Sequence, residues 1–242
     1  MSNHDAPDRD ALVDADRRSL FAALSSFSVL ALGACAATGG SEAHGPENEK
    51  HEGEGAEVTP GEDLMQEHGV LDRVLLIYDE VAAQLEGGRR VEMALVKRAG
   101  DVIRRFVEDY HEKQEEDFVF PRLEKAGKEV ELVAILKDQH AKGRAVTDAI
   151  LSTAAAGDAA KLPALLRSYT RMYRPHTSRE ETIVFPAFRS TLDEDGYHEL
   201  GEKLEQREHE KFGEGGFEKV VAEVGEIEAA LGLQDLRQFT PA

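Results

Sequence analysis

The chain has 242 residues, a formal net charge of −19, one cysteine and no tryptophan. This length provides for one sizeable core with appendages rather than two independent domains. A single cysteine excludes a disulfide scaffold, and acidic charge spread along the whole chain repels phosphate backbones, which excludes nucleic acid as a partner. No period-two strand pattern, phosphate-binding glycine loop or dinucleotide fingerprint occurs in the sequence.

Residues 1–35 read as an export signal. Asp16-Arg17-Arg18-Ser19-Leu20-Phe21 is similar to the twin-arginine motif, and the apolar run from about Leu20 to Ala34 is too short and too serine-containing for a transmembrane helix. Leu32-Gly33-Ala34-Cys35 resembles a lipobox, which would make Cys35 a lipid anchor and the sole tie to a membrane. The competing reading is cleavage nearby, for instance after Ala37, with Cys35 discarded. Residues 36–59 are rich in Gly, Glu and Ser with almost no apolar side chain, the composition of a disordered acidic tether in which His44 and His51 are merely solvated. The expected location is the periplasm, free or as a membrane-anchored lipoprotein.

An antiparallel four-helix bundle is expected over residues 60–190. Thr59-Pro60-Gly61-Glu62 has the pattern of a capping box with proline at the first helical position. Leu64, His68, Leu71, Leu75, Tyr78 and Ala82 then recur at steps of three and four, a single apolar stripe interrupted by one imidazole. Gly87-Gly88 ends this helix. The second helix carries Ile103, Val107, His111 and Glu115 on one face with Phe118 beside them, and Ala126-Gly127 follows its end. The third, about Val130 to Ala156, places Leu132, Val133, Leu136, His140 and Ile150 on helical spacing, weakened by Gly143. After Ala156-Gly157-Asp158 the fourth repeats the pattern with Leu165, Tyr169, Met172, His176, Glu180 and Ile183. Pro121 and Pro186 sit near the ends of helices two and four, where a missing N–H kinks or stops a helix. Residues 191–242 form a C-terminal helical extension, with one helix from about Tyr197 to Lys211 and another carrying Phe217, Val220, Val224, Ile227 and Leu231.

One motif occurs twice. His111-Glu-Lys-Gln-Glu115-Glu-Asp-Phe-Val-Phe-Pro121 returns sixty-five residues later as His176-Thr-Ser-Arg-Glu180-Glu-Thr-Ile-Val-Phe-Pro186. In both, His precedes Glu by four, a spacing that stacks the two side chains on one helical face about 6 Å apart. With His68 and His140 the order becomes His, His-x-x-x-Glu, His, His-x-x-x-Glu. Each helix hairpin then sends two imidazoles and one carboxylate to the middle of the bundle, where facing side chains build metal sites. Taken singly, each of these residues is better read as a satisfied core histidine or a solvated charge. Together, four imidazoles and two carboxylates on inward faces would cost several kcal/mol per unpaired ion without a cation to compensate them. Six N and O donors exceed a four-coordinate zinc site and suit two octahedral first-row ions sharing carboxylates, iron with manganese as its substitute.

This arrangement resembles the hemerythrin-like (HHE cation-binding) family over about Glu62 to Arg189. The resemblance implies that His68, His111, His140 and His176 are ligands of two iron ions and that Glu115 and Glu180 bridge the pair. The oxygen-carrying hemerythrins have a fifth histidine one turn after the third, where this chain has Arg144. Their second carboxylate is an Asp five residues after the last His, whereas Glu180 follows His176 by four. Both departures place the pattern closer to the bacterial branch, which includes iron–sulfur-cluster repair proteins. Arg144 is then a candidate donor to a bound anion, Tyr110 and Tyr169 are candidate redox or hydrogen-bonding neighbours, and His209, four residues after Glu205, repeats the ligand spacing weakly.

Three functions remain: binding or sensing of a small diatomic ligand, oxygen or nitric oxide; a redox enzyme acting on peroxide or nitric oxide; and iron delivery or storage. The first is preferred. No redox partner is indicated.

Overall fold

The computed structural model describes residues 58–241, so the signal and nearly all of the tether, with Cys35, His44 and His51, lie outside the described residues. Among the described residues there are six helices and no strand: α1 Pro60–Glu86, α2 over 93–126, α3 Val130–Ala155, α4 over 162–189, α5 Glu194–Phe212 and α6 Gly216–Leu231. The fold is all-α, as the periodicity predicts. No helix of the described residues is long and apolar enough to cross a membrane.

The helix boundaries have local causes. At the start of α1 the Glu62 N–H donates to the Thr59 hydroxyl, and the Thr59 N–H donates to the Glu62 carboxylate at 3.0 Å, so two backbone donors that have no helical partner are satisfied reciprocally. The turns after α1 and α2 use Gly88 and Gly127 at φ of 72° and 65°, a region that costs glycine nothing. Pro121 and Pro186 do not stop their helices. Each lies just after a wide π-helical turn, Glu115–Val119 in α2, which has a longer π-helical stretch over Ile103–His111 as well, and Glu180–Val184 in α4; Phe120 donates to the Glu115 carbonyl and Phe185 to the Glu180 carbonyl, five residues back. The wide turn absorbs both the missing N–H and the ring's conflict with the carbonyl four residues earlier. It also inserts a residue into the helical phase, which corrects one sequence expectation: Ile183 is 40% exposed, and Val184 is buried in its place.

Four helices alternate in direction, and their buried side chains form two apolar clusters, one at each end of the bundle. One contains Leu64 from the start of α1, Val119 and Phe120 from the end of α2, Val133 and Leu136 from the start of α3, and Val184 and Phe185 from the end of α4. The other contains Leu71 and Leu75, Ile103 and Val107, Ile150, and Tyr169 and Tyr173. On every helix the predicted histidine falls between its contributions to the two clusters. The polar layer is therefore closed above and below by apolar packing.

The C-terminal extension completes both ends. Val220, Val224 and Ile227 of α6 join the larger cluster, and Arg73 of α1 grips Glu228 with two hydrogen bonds at 3.0 and 2.6 Å. Leu200 and Leu204 of α5 join the smaller cluster, while the Tyr197 hydroxyl accepts from the Gly61 N–H at 2.9 Å.

Candidate metal centre

His68, His111, His140 and His176 are each at most 3% exposed, and Glu115 and Glu180 are fully buried. All six side chains meet in the polar layer. Glu115 reaches both histidine pairs, with Oε1 3.7 Å from His111 Nε2 and Oε2 3.4 Å from His140 Nε2. Glu180 does the same from the other side: Oε2 is 3.5 Å from His68 Nε2, and Oε1 is 3.0 Å from His176 Nε2 and 3.9 Å from His140 Nε2. Both carboxylates thus hold one oxygen toward the His68–His111 pair and one toward the His140–His176 pair.

Behind the rings stands a second layer that sequence reasoning missed. The outer nitrogen, Nδ1, of His68 lies 3.1 Å from Glu181 Oε1, that of His111 2.7 Å from Glu67 Oε2, that of His140 3.2 Å from Glu116 Oε1, and that of His176 2.8 Å from Gln139 Oε1. An acceptor at Nδ1 keeps the proton there and turns the Nε2 lone pair to the centre, the tautomer that a metal ligand needs. All four acceptors are sequence neighbours of predicted ligands: Glu67 beside His68, Glu116 beside Glu115, Gln139 beside His140, Glu181 beside Glu180. One residue along a helix is a rotation of about 100°. Each therefore faces the adjacent helix and serves a histidine there, which no spacing rule within one helix could reveal.

The centre fits a metal on the chemistry of its donors. His68 Nε2 and both oxygens of Glu115 and of Glu180 are buried without a hydrogen-bond partner. Most buried polar atoms have a partner, so five without one converging on a single spot point to a group, such as an ion, that compensates them. Ligands about 2.1 Å from one ion and at right angles are about 3 Å apart, close to the 3.0 Å between His176 Nε2 and Glu180 Oε1 and the 3.2 Å between His140 Nε2 and His176 Nε2. Glu115, His140, His176 and Glu180 form one group able to hold a metal ion, and His68, His111 and Glu115 form another.

Without metal, protons take the cation's place. Burial alone would lower the His68 pKa, but the Glu180 and Glu181 carboxylates outweigh it and raise it to about 10. Likewise, burial of His140 is outweighed by Glu115 and Glu116, and its pKa rises to about 10. At His111 burial, only partly opposed by Glu115, combines with the His68 charge to hold the pKa down at about 4. Burial would raise the Glu180 pKa, yet His176 and His68 keep it well below the carboxylate range.

The other predicted residues are placed as follows. Arg144 donates to Glu116 Oε1 and lies 2.7 Å from both that oxygen and Glu112 Oε2, so its guanidinium is engaged with carboxylates behind His140. Tyr169 is fully buried and stacks on Tyr173 at 4.3 Å between ring centroids. Tyr173, which sequence reasoning passed over, donates its hydroxyl hydrogen to Glu112 Oε1 at 2.6 Å, and its ring lies 5.2 Å from that of His176. Gly143 explains itself here: a Cβ on it would lie 2.0 Å from the Tyr173 hydroxyl oxygen. Tyr110 is buried with its ring against Phe106 and Phe212. His209 is on an exposed face of α5.

Comparison with known proteins agrees with this construction. The Hemerythrin HHE cation binding domain matches residues 59–188. Uncharacterized proteins of Mycobacterium bovis and Mycobacterium tuberculosis are each 40% identical over 232 residues, which covers 93% of this chain and 91% of theirs. No solved structure matches. With four helices delivering the repeated His and Glu set to one buried layer, and a family match across more than half of its length, the chain belongs to the hemerythrin HHE cation-binding family.

Proposed function

We propose that this protein is a non-haem di-iron protein that binds or senses a small diatomic ligand, oxygen or nitric oxide, outside the cytoplasm. The observation that carries the reading is the inward set itself: four imidazoles from four helices and two carboxylates whose buried oxygens have no hydrogen-bond partner. His68, His111, His140 and His176 would hold two iron ions, with Glu115 and Glu180 between them. Manganese is the alternative occupant of the same donors.

When bound, an iron pair supplies coordination positions and electrons for a diatomic ligand. The chain's own residues do the rest. Glu67, Glu116, Glu181 and Gln139 hold the ring orientations, and the apolar clusters on either side exclude water. Export rests on the twin-arginine-like Arg17-Arg18 segment, a route for folded proteins that suits a centre loaded before translocation.

The test is metal analysis of freshly purified protein followed by absorption spectroscopy of the anaerobically reduced form. About two iron per chain and a spectrum altered by oxygen or nitric oxide are expected. A spectrum indifferent to both gases ends the ligand reading, and steady consumption of peroxide or nitric oxide would instead make the protein an enzyme.

A further inference from the structure

The polar layer has an approximate two-fold symmetry that relates α1 with α2 to α3 with α4. Under it His68 corresponds to His140, His111 to His176 and Glu115 to Glu180. The acceptors behind the rings obey it too. Glu181, which follows Glu180, supports His68, as Glu116, which follows Glu115, supports His140. The residue before His68, Glu67, supports His111, and the residue before His140 supports His176. At that last place the symmetry breaks, because the residue is Gln139.

The surrounding charges break it in the same direction. Glu116 Oε1, the oxygen facing His140, is shared with Arg144 at 2.7 Å, and the other oxygen is paired with Lys113. Arg144 also lies 2.7 Å from Glu112. At the corresponding place four residues after His68 stands Asp72, a carboxyl group rather than a cation, which feels both His68 and Arg174. Glu67 also receives the neutral Gln114 amide, at 3.1 and 3.2 Å. Both imidazoles of the His68–His111 pair are therefore backed by carboxylates. Of the His140–His176 pair, one is backed by a carboxylate already drawn on by two cations and the other by an uncharged amide. A carboxylate at Nδ1 makes the imidazole a stronger donor at Nε2, and such partners change metal affinity by about 10- to 100-fold.

We infer that the two metal positions are unequal, the His68–His111 half-site binding first and more tightly and the His140–His176 half-site forming the weaker, exchangeable position, with Gln139 as the residue that sets the difference. This rests on the dinuclear reading above and adds an order of filling to it. At limiting metal the centre holds one ion beside His68 and His111, and a different ion supplied second completes a mixed pair.

Zinc is a suitable probe because it titrates without a redox change and leaves imidazole nuclear resonances sharp. Calorimetric titration of the metal-free protein with zinc should show two steps about tenfold or more apart. With one equivalent, 15N-histidine spectra should shift the His68 and His111 signals and leave those of His140 and His176 in place. Gln139→Glu should tighten the weaker step by about tenfold and draw the two together. Glu67→Gln should weaken the tighter step alone, whereas a merely structural role would weaken both steps in each variant. Two equal equivalents in the native chain, filling of the His140–His176 half first, or a Gln139→Glu variant whose second step does not tighten would each overturn the inference while leaving the dinuclear centre intact. Failure to take up either zinc or iron would remove the dinuclear reading and the inference together.

Discussion

Glu180→Gln separates the two ways in which the buried layer is held together. In the metal-free protein the Glu180 carboxylate is the foremost partner of a protonated His68, whose pKa stands at about 10 against an ordinary 6.5. At 1.36 kcal/mol per unit, that shift is a net stabilisation of about 5 kcal/mol left after the cost of burial, to which Glu181 and Glu115 also contribute. Removing one partner of a buried pair costs about 3–5 kcal/mol, so the Gln variant should lose about 3 kcal/mol near pH 7 without any metal. Because the folded pKa is raised, this contribution is complete below pH 6.5 and vanishes as the pH rises through about 10. The variant and the parent should therefore converge in alkali. With free metal at about 1,000 times its dissociation constant, the parent gains a further ~4 kcal/mol that the variant, deprived of a donor between the two half-sites, does not. Denaturant unfolding with and without metal, at neutral pH and near pH 10, measures all four quantities. A variant as stable as the parent without metal, or one that still takes up two ions with native affinity, would refute the reasoning.

Other perturbations probe neighbouring links. Metal uptake near pH 7 should release about two protons, from His68 and His140 but not from His111 with its pKa of about 4, and affinity should climb from pH 6.5 to about 10; buffer-dependent calorimetry counts the protons, and uptake without release would contradict the assignment. Gly143→Ala places a Cβ 2.0 Å from the Tyr173 hydroxyl oxygen, so overpacking of about 1–3 kcal/mol should outweigh the helix propensity gained, and unfolding curves should show the variant less stable than the parent. Glu108 is driven up to about pH 7 by burial, against the Thr147 hydroxyl and Arg104, so its charged form weakens the fold as the pH rises from about 4.5 through 7. Glu108→Gln should then be neutral at pH 5 and stabilising by on the order of 2 kcal/mol above pH 8, and an unchanged pH profile of stability would count against it.

Much of this protein is legible along the chain because its periods are local. The Thr59–Glu62 box, the glycine turns and the three-and-four spacing of Leu64, His68, Leu71 and Leu75 each express the geometry of a single helix, so they predict α1, its direction and its buried face without reference to anything else. The His-x-x-x-Glu repeat likewise places His111 with Glu115 and His176 with Glu180 on inward faces, because four residues make about one turn. Only the packed bundle decides what stands behind them. Whether Glu67 backs its neighbour His68 or His111 on the next helix, whether Arg144 meets an open centre or the Glu116 and Glu112 carboxylates, and whether Ile183 or Val184 turns inward all depend on helix azimuth and on the wide turns at Glu115 and Glu180. Those are properties of contacts between helices, and a one-dimensional period carries no phase between one helix and another.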